Sequence, residues 1–495
     1  MKTAARNTNS DLSRLSRREL VRADAYINGE WVAAKSRFAV RNPATGDILA
    51  EVADCAPELA EHAVAAADNA WQNWKRKPAT ARAALLRAWL AKIRENTEDL
   101  AVLMTLEQGK PLAEARGEVA YGAAYFEWYA EEALRSYGEV IPSNGEDRRI
   151  FALRESVGPV AAITPWNFPN ALLARKVAPA LAAGCTMVAK PAQETPLSAL
   201  ALAALAEEAG IPAGVFSVVP TSDARGVGEV LTGDPRIRKI SFTGSTEVGK
   251  ILLARCAGTI KRVSMELGGN APFIVFDDAD LDAAVDGALT SKFRNTGQTC
   301  ICANRILVER GIYDAFVSAL AERVSALRVG NGLDEGVAQG PLINEAGLRK
   351  VEEHFADASA GGAEVVVGGG AHGLGGTFYT PTVMAGGSRG MRFMREETFG
   401  PLAVAVRFDG EAEALEMAND TPFGLAAYAY TRDLGRAWRI SEGLESGMVG
   451  LNSGMISNAA APFGGVKDSG LGREGGRHGI EEYLEVKYVN LAGLN

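Results

Sequence analysis

The residues able to do chemistry cluster in a few short segments. In GQTCICANR (297–305), Cys300 lies in a Gly/Thr/Asn loop after the helical stretch DGALTSKF (286–293). That setting favours an exposed thiol, although most cysteines are small buried hydrophobes. Cys300 and Cys302 form a C-x-C pair, but zinc needs further Cys or His ligands, and His62, His354, His372 and His478 all stand in other segments. The same absence leaves a Cys–His nucleophile poorly supported, so a nucleophilic Cys300 needs a base of another kind. In MELGGN (265–270), Glu266 ends a strand candidate and precedes two glycines. A carboxylate there can face a cleft and carry a raised pKa; an ordinary strand-end Glu fits the same residues. In ITPWNFP (163–169), two prolines bracket Trp166 and Asn167. The Asn167 amide offers donors for an oxyanion, while a rigid surface turn explains the segment equally well.

Two further segments suggest phosphate or ribose binding. FTGSTEVGKI (242–251) runs as strand, turn and helix and nearly matches G-x-x-x-x-G-K-[ST], but Ile251 stands where a magnesium-binding hydroxyl is required. That rules against a nucleoside triphosphatase. A Gly turn opening a helix still offers backbone N–H groups and a positive dipole end to a phosphate, and Ser245 adds a hydroxyl. In MVAKPAQETP (187–196), Lys190 ends a short strand and Pro191 stops the ladder; its ammonium is placed for ribose or phosphate, or for solvent.

Alternating elements must position these groups. From residue 157, short apolar runs alternate with helical stretches: VGPVAAI (157–163), CTMVAK (185–190), VFSVV (215–219), KISFT (239–243), RVSME (262–266) and FIVF (273–276). This pattern predicts a doubly wound parallel sheet, which binds its ligand at the carboxyl ends of the strands. Upstream, AYINGEWV (25–32) predicts a hairpin turning at Asn28-Gly29. Residues 57–100 and 112–136 are Ala-rich with helical spacing. A second α/β stretch runs from about 280 to 475, with strand candidates RILVER (305–310), AEVVVGG (363–369) and LAVAVRF (402–408). The tail EYLEVKYVNL (482–491) alternates like a strand; being terminal, it is expected to need a partner sheet, from another subunit if necessary.

Composition narrows the class. The 495 residues exceed one compact core, and 47% hydrophobic with 23% charged residues is ordinary globular usage. A net charge of −9 excludes a basic nucleic-acid binder. Five cysteines make an odd, sparse set, unlike a disulfide framework, and point to a reducing, cytoplasmic setting. The start, MKTAARNTNSDLSRLSRREL, lacks an apolar run, and its Asp11 and Glu19 argue against a transit peptide, so a flexible leader is expected. No run of 18 apolar residues predicts a membrane span.

Taken together, these segments resemble the aldehyde dehydrogenase superfamily from about residue 25 to 490, and EETFGP (396–401) and PFGGVKDSGLGREGG (462–476) are similar to it too. FRNTGQTCICANR (293–305) and GREGGRHGIEEYLEVKYV (472–489) resemble its succinate-semialdehyde dehydrogenase branch. The resemblance implies an α/β fold with a Rossmann-type dinucleotide-binding domain (20–132 and 156–266), an α/β catalytic domain (267–476) and a small β oligomerisation arm (133–155 and 477–495), in a dimer or tetramer. It implies that Cys300 attacks an aldehyde and that the Asn167 side chain and the Cys300 N–H hold the oxyanion. Hydride then passes to NAD⁺ or NADP⁺, and Glu266 activates the water that frees the acid. An acylating enzyme and a non-catalytic protein on the same scaffold are the rivals, and the intact trio of Cys300, Glu266 and Asn167 disfavours both. For the cofactor, the resemblance places Trp166, Lys190 and Gln193 on the adenosine side and Gly244, Ser245 and Gly249 near the pyrophosphate. Gly228, Thr243 and Leu267 are further contacts, and Glu397 and Phe399 hold the nicotinamide ribose. No metal is implied.

Many NAD⁺-using members carry Glu where this chain has Gln193, with Glu194 beside it. An anion there repels a 2′-phosphate and a neutral Gln does not, so NADP⁺ is expected to be accepted, with preference over NAD⁺ left open. Arg175 in LARKV (173–177), Arg294 and Ser457 match the branch's carboxylate-binding pattern, and Arg forks carboxylates bidentately. Succinate semialdehyde is therefore the expected substrate, with glutarate semialdehyde second. Cys302 matches a cysteine that pairs with the nucleophile in some relatives, a candidate redox switch, since strained disulfides are the labile kind.

Overall fold

Asn28 and Gly29 both take positive φ, 55° and 80°, as a two-residue hairpin turn demands, and strands Ala25–Ile27 and Glu30–Val32 pair across them. The computed structural model describes residues 11–494. The hairpin docks on the edge of an eight-stranded sheet. Its order is Glu30–Val32, Ala25–Ile27, Phe216–Val218, Met187–Lys190, Val160–Ile163, Lys239–Thr243, Arg262–Glu266, Gly470–Leu471. The five strands from Phe216–Val218 to Arg262–Glu266 run parallel. Four of the five are buried along their whole length, which is why their sequences are short apolar runs rather than alternations. Chain order reverses between Val160–Ile163 and Lys239–Thr243. That is the switch point at which a doubly wound sheet opens its crevice.

The expected helical stretch 57–100 is three helices, Pro57–Trp74, Ala79–Glu95 and Thr97–Gln108. Pro78 precedes the second, and Gly109, with φ 94°, ends the third in the left-handed conformation that terminates helices. Helix Leu112–Glu132 follows. A second sheet has the order Glu364–Val367, Thr382–Gly387, Leu402–Phe408, Ala303–Glu309, Ala271–Val275, Ala426–Tyr430, Met448–Leu451. It is parallel except for the edge strand Glu364–Val367.

The tail strand, Leu484–Ala492, finds its partner sheet within its own chain, in the 133–155 segment with which the resemblance groups it: it pairs antiparallel with Arg148–Ser156, which also pairs with Glu139–Ile141. The bond from Val157 N–H to the Tyr483 carbonyl, 3.1 Å, brings the two together. One expectation is corrected. The leader is not loose over residues 11–20. Leu15 and Leu20 are buried, and the Ser16 and Arg17 N–H groups donate to the Asp99 carboxylate at 2.8 and 2.9 Å; residues 1–10 lie outside the described residues. Among those described, no helix is long and apolar enough to cross a membrane.

Candidate active site

Two cavities meet at Cys300. One, of about 480 Å³, opens over the strand ends at the switch point and is lined by Trp166, Asn167, Thr243, Gly244, Ser245, Leu267, Glu397 and Phe399 among others. The other, of about 330 Å³, is lined by Tyr121, Phe168, Arg175, Arg294, Ser457 and Phe463 among others. Among the described residues, Cys300 is the one lining both.

The loop bearing Cys300 follows helix Leu281–Phe293. Asn295 and Thr296 both hold left-handed backbone, φ 51° and 56°, at a cost of about 1 kcal/mol or more each. Hydrogen bonds hold them there: Asn295 N–H donates to Glu114 Oε2 (2.7 Å) and Thr296 Oγ1 to the Gly340 carbonyl (3.1 Å). Gly297, φ 74°, leaves no room for a Cβ against the Gly400 backbone. The loop thus carries Cys300 to a half-buried position rather than the exposed one expected, and burial pushes its thiol up to about 12. Asn167 Nδ2 donates to the Gln298 carbonyl (3.0 Å), two residues before the nucleophile, while its Oδ1 has no partner.

Glu266 departs from expectation. It lines neither cavity; its Oε1 lies close against Gly464, 3.0 Å from where a Cβ there would stand. It is buried and both carboxylate oxygens lack partners. Burial, reinforced by Glu474, holds its carboxyl well above the usual range against the pull of Arg175 and Lys176. Glu474 itself is paired with Arg175, and with Lys176 at 2.5 Å; burial would raise its carboxyl, but these two cations outweigh it. Arg175 also stacks over Phe463, 4.3 Å from the ring centre. Arg294 Nη1 lies 2.9 Å from the Met455 sulfur. Cys302 is buried, and its thiol donates to the Lys292 carbonyl (3.2 Å). Both loop cysteines are free, so pairing them would first break that bond.

The larger cavity fits a dinucleotide. Thr243 Oγ1 is buried without a partner at its wall. Ser245 caps helix Thr246–Ala257, accepting from Val248 N–H at 3.4 Å, and the other first-turn N–H groups form a positive helix end. A Cβ on Gly249 would collide with the Leu267 side chain, so the helix lies close to that loop. Burial pushes the Glu397 carboxyl up to about 7, and Trp166 meets Phe399 edge-on at 5.5 Å. Four expected contacts stand outside this cavity. Lys190 is buried and donates to the Pro191 carbonyl (3.2 Å). Gly228 lies on helix Ala224–Gly233 beneath open space, and Gly249 is on its own helix turn. Gln193 lines a neighbouring hollow of about 360 Å³ with Arg41 and Ser222, which shares Ile343 with the main cavity.

Sequence reasoning missed Glu474 and the wall built by Glu114, Glu118 and Tyr121. The signal for the wall was available: polar residues at i, i+4 and i+7 mark one face of helix Leu112–Glu132.

The sequence profile described as "Aldehyde dehydrogenase family" matches residues 31–489. The chain is 60% identical over 478 residues to 3-sulfolactaldehyde dehydrogenase of Pseudomonas putida, covering 96% of this chain and 98% of that one. It is 56% identical over 478 residues to the NADP(+) succinate-semialdehyde dehydrogenase of Escherichia coli, covering 96% and 99%. It superposes with a TM-score of 0.96 on the crystal structure of succinate-semialdehyde dehydrogenase from Burkholderia pseudomallei, at 54% identity and covering 97% and 100% of the two chains. This chain belongs to the aldehyde dehydrogenase family.

Proposed function

We propose that the protein oxidises an aldehyde carrying an anionic group at its far end, succinate semialdehyde first, to the acid, with NADP⁺ or NAD⁺ as oxidant. One observation carries this reading. Among the described residues, Cys300 alone lines both a cavity suited to a dinucleotide and a cavity bearing two arginines. A four-carbon aldehyde whose carbonyl sits at Cys300 directs its carboxylate at Arg175, Arg294 and Ser457.

The roles follow from chemistry. Cys300 Sγ adds to the carbonyl carbon as the thiolate, its proton having passed to solvent, and the oxygen takes up negative charge. The Asn167 amide and the Cys300 N–H receive that charge; one such donor contributes about 3–4 kcal/mol to the transition state. When bound, the nicotinamide supplies the hydride acceptor that leaves a thioester on Cys300. Glu266 then takes a proton from the attacking water. Burial holds its carboxyl above the usual range, and it acts as a base in its ionised form. Thr243, Ser245 and Glu397 would hold the pyrophosphate and ribose, and Lys190 and Gln193 would serve the adenosine side.

A second anion deserves equal testing, because the 60%-identical relative is a 3-sulfolactaldehyde dehydrogenase and a sulfonate suits the same two guanidinium groups. We assign the three-stranded sheet to an oligomerisation arm (133–155 and 477–495) serving a dimer or tetramer. Its exposed Tyr137, Val140, Val486 and Tyr488 support this. The dinucleotide-binding part then comprises 20–132 and 156–266, and the catalytic part 267–476. The free cysteines suit the cytoplasm.

The test is a panel of succinate semialdehyde, glutarate semialdehyde, 3-sulfolactaldehyde and a neutral four-carbon aldehyde, each with NAD⁺ and NADP⁺, read as reduced nicotinamide absorbance without coenzyme A. The expected result is the highest kcat/KM on an anionic aldehyde. Equal kcat/KM on the neutral one overturns anion recognition.

A further inference from the structure

The loop carrying Asn167 is held from behind by a buried ion pair. The Lys110 and Glu118 side chains are fully buried and paired with each other. Lys110 precedes helix Leu112–Glu132, and Glu118 lies within it. Lys110 Nζ donates to the Asn167 main-chain carbonyl at 2.7 Å. Glu118 Oε1 accepts from the N–H groups of Asn170 (2.9 Å) and Ala171 (3.2 Å), where the loop enters the next helix. The same Asn167 carbonyl accepts from Asn295 Nδ2 (3.0 Å), which also reaches the Gln298 carbonyl (3.3 Å). That Gln298 carbonyl is the one Asn167 Nδ2 meets. One network therefore joins the pair, the Asn167 peptide and the nucleophile loop. Stability gives little reason for it, since a buried ion pair often does no better than an apolar pair of equal volume. Burial draws the Lys110 ammonium below its usual pKa, with Glu118 opposing.

We propose that the Lys110–Glu118 pair positions the oxyanion hole, fixing the Asn167 peptide so that its side-chain amide meets the oxygen of the bound aldehyde. This rests on the reading of Asn167 as oxyanion donor. Turning the Asn167 peptide would break the bonds from Lys110 and Asn295 together, so the carboxamide keeps its place as charge develops. Lys110 touches no reacting atom; it is a positioning residue, and a misplacement of about 1 Å costs roughly 10²-fold in rate.

The experiment compares Lys110→Met, Asn167→Ala and the double variant of the full chain under saturating cofactor. Asn167→Ala is expected to lower kcat about 10²- to 10³-fold. Lys110→Met is expected to lower kcat about 10- to 100-fold, with both KM values within about threefold of the parent. Because Lys110 acts through Asn167, the double variant should be no slower than Asn167→Ala alone; a purely structural pair would make the losses multiply. Multiplied losses, or a Lys110→Met enzyme with the parent kcat, overturn the proposal. Parent kcat in Asn167→Ala overturns the oxyanion reading itself, a separate result. If Lys110→Met fails to fold because Glu118 is stranded, Lys110→Met with Glu118→Gln removes both charges and makes the same comparison.

Discussion

The two cavities that meet at Cys300 are made of different materials. The dinucleotide side is mostly backbone and topology: strand ends at the switch point, a capped helix N-terminus, and glycines that let segments approach. The aldehyde side is mostly side chains, two arginines on an aromatic wall with a buried carboxylate, Glu474, paired with one of them, Arg175. A backbone-built site comes with the fold and can be shared across it. A side-chain-built site is where one chain of the fold differs from another, and its members carry structural duties as well.

Arg175 and Arg294 expose that double duty, and the largest effects are expected there. Replacing either by Met should raise KM for succinate semialdehyde about 100-fold, the loss of a charge-assisted bidentate contact of about 3 kcal/mol, and should change KM for a neutral aldehyde little. Stability separates them. Arg175 is buried against Glu474, so Arg175→Met leaves a buried carboxylate with Lys176 alone and should cost about 3 kcal/mol in urea unfolding. Arg294 has no carboxylate partner among the described contacts, only Met455 and the Phe168 ring, so Arg294→Met should stay within about 1 kcal/mol of the parent. Equal destabilisation by both would erase the contrast.

That asymmetry also marks what the sequence could reveal. Short apolar runs gave away the parallel sheet, and Asn28-Gly29 the hairpin, because both are local rules of pattern and turn chemistry. Cys300 and Asn167 were singled out as candidates by their loops, and both line cavities; the strand ends pointed to the larger cavity. The buried position of Glu266 was not, because the residues around its carboxylate, Gly464 and Glu474, come some two hundred positions later. Glu474 was hidden for the same reason: its partners Arg175 and Lys176 are about three hundred residues away. Alternation showed the tail as a strand, but its partner in 133–155 came only from the resemblance, since alternation fixes which face is buried and not which edge is met.

On the dinucleotide side the expected effects are smaller. Gln193 is exposed in its hollow beside Arg41 and Ser222, so a charge placed there is partly screened. Gln193→Glu should lower kcat/KM for NADP⁺ about tenfold, or about 1.4 kcal/mol, and alter that for NAD⁺ less. Equal loss on both cofactors would show that Gln193 does not face the ribose 2′ position.

The smallest effect concerns protons, and it sets the two cavities against each other once more. Burial raises the Glu397 carboxyl to about 7, with Lys350 and the Gly269 N–H pulling the other way. A raised carboxyl is protonated below that value, so it loses its charge as pH falls through 7 and grips a ribose hydroxyl less strongly. KM for the cofactor should therefore rise a few-fold between about pH 8 and about pH 6, and Glu397→Gln should flatten that limb at a uniformly higher KM. On the other side, burial of Arg175 is outweighed by Glu474, so its guanidinium stays charged throughout. KM for the aldehyde should then stay level over the same interval. A cofactor KM that is flat in the parent, or that still rises in Glu397→Gln, would move the titrating group away from Glu397 and leave the backbone alone as the cofactor's grip.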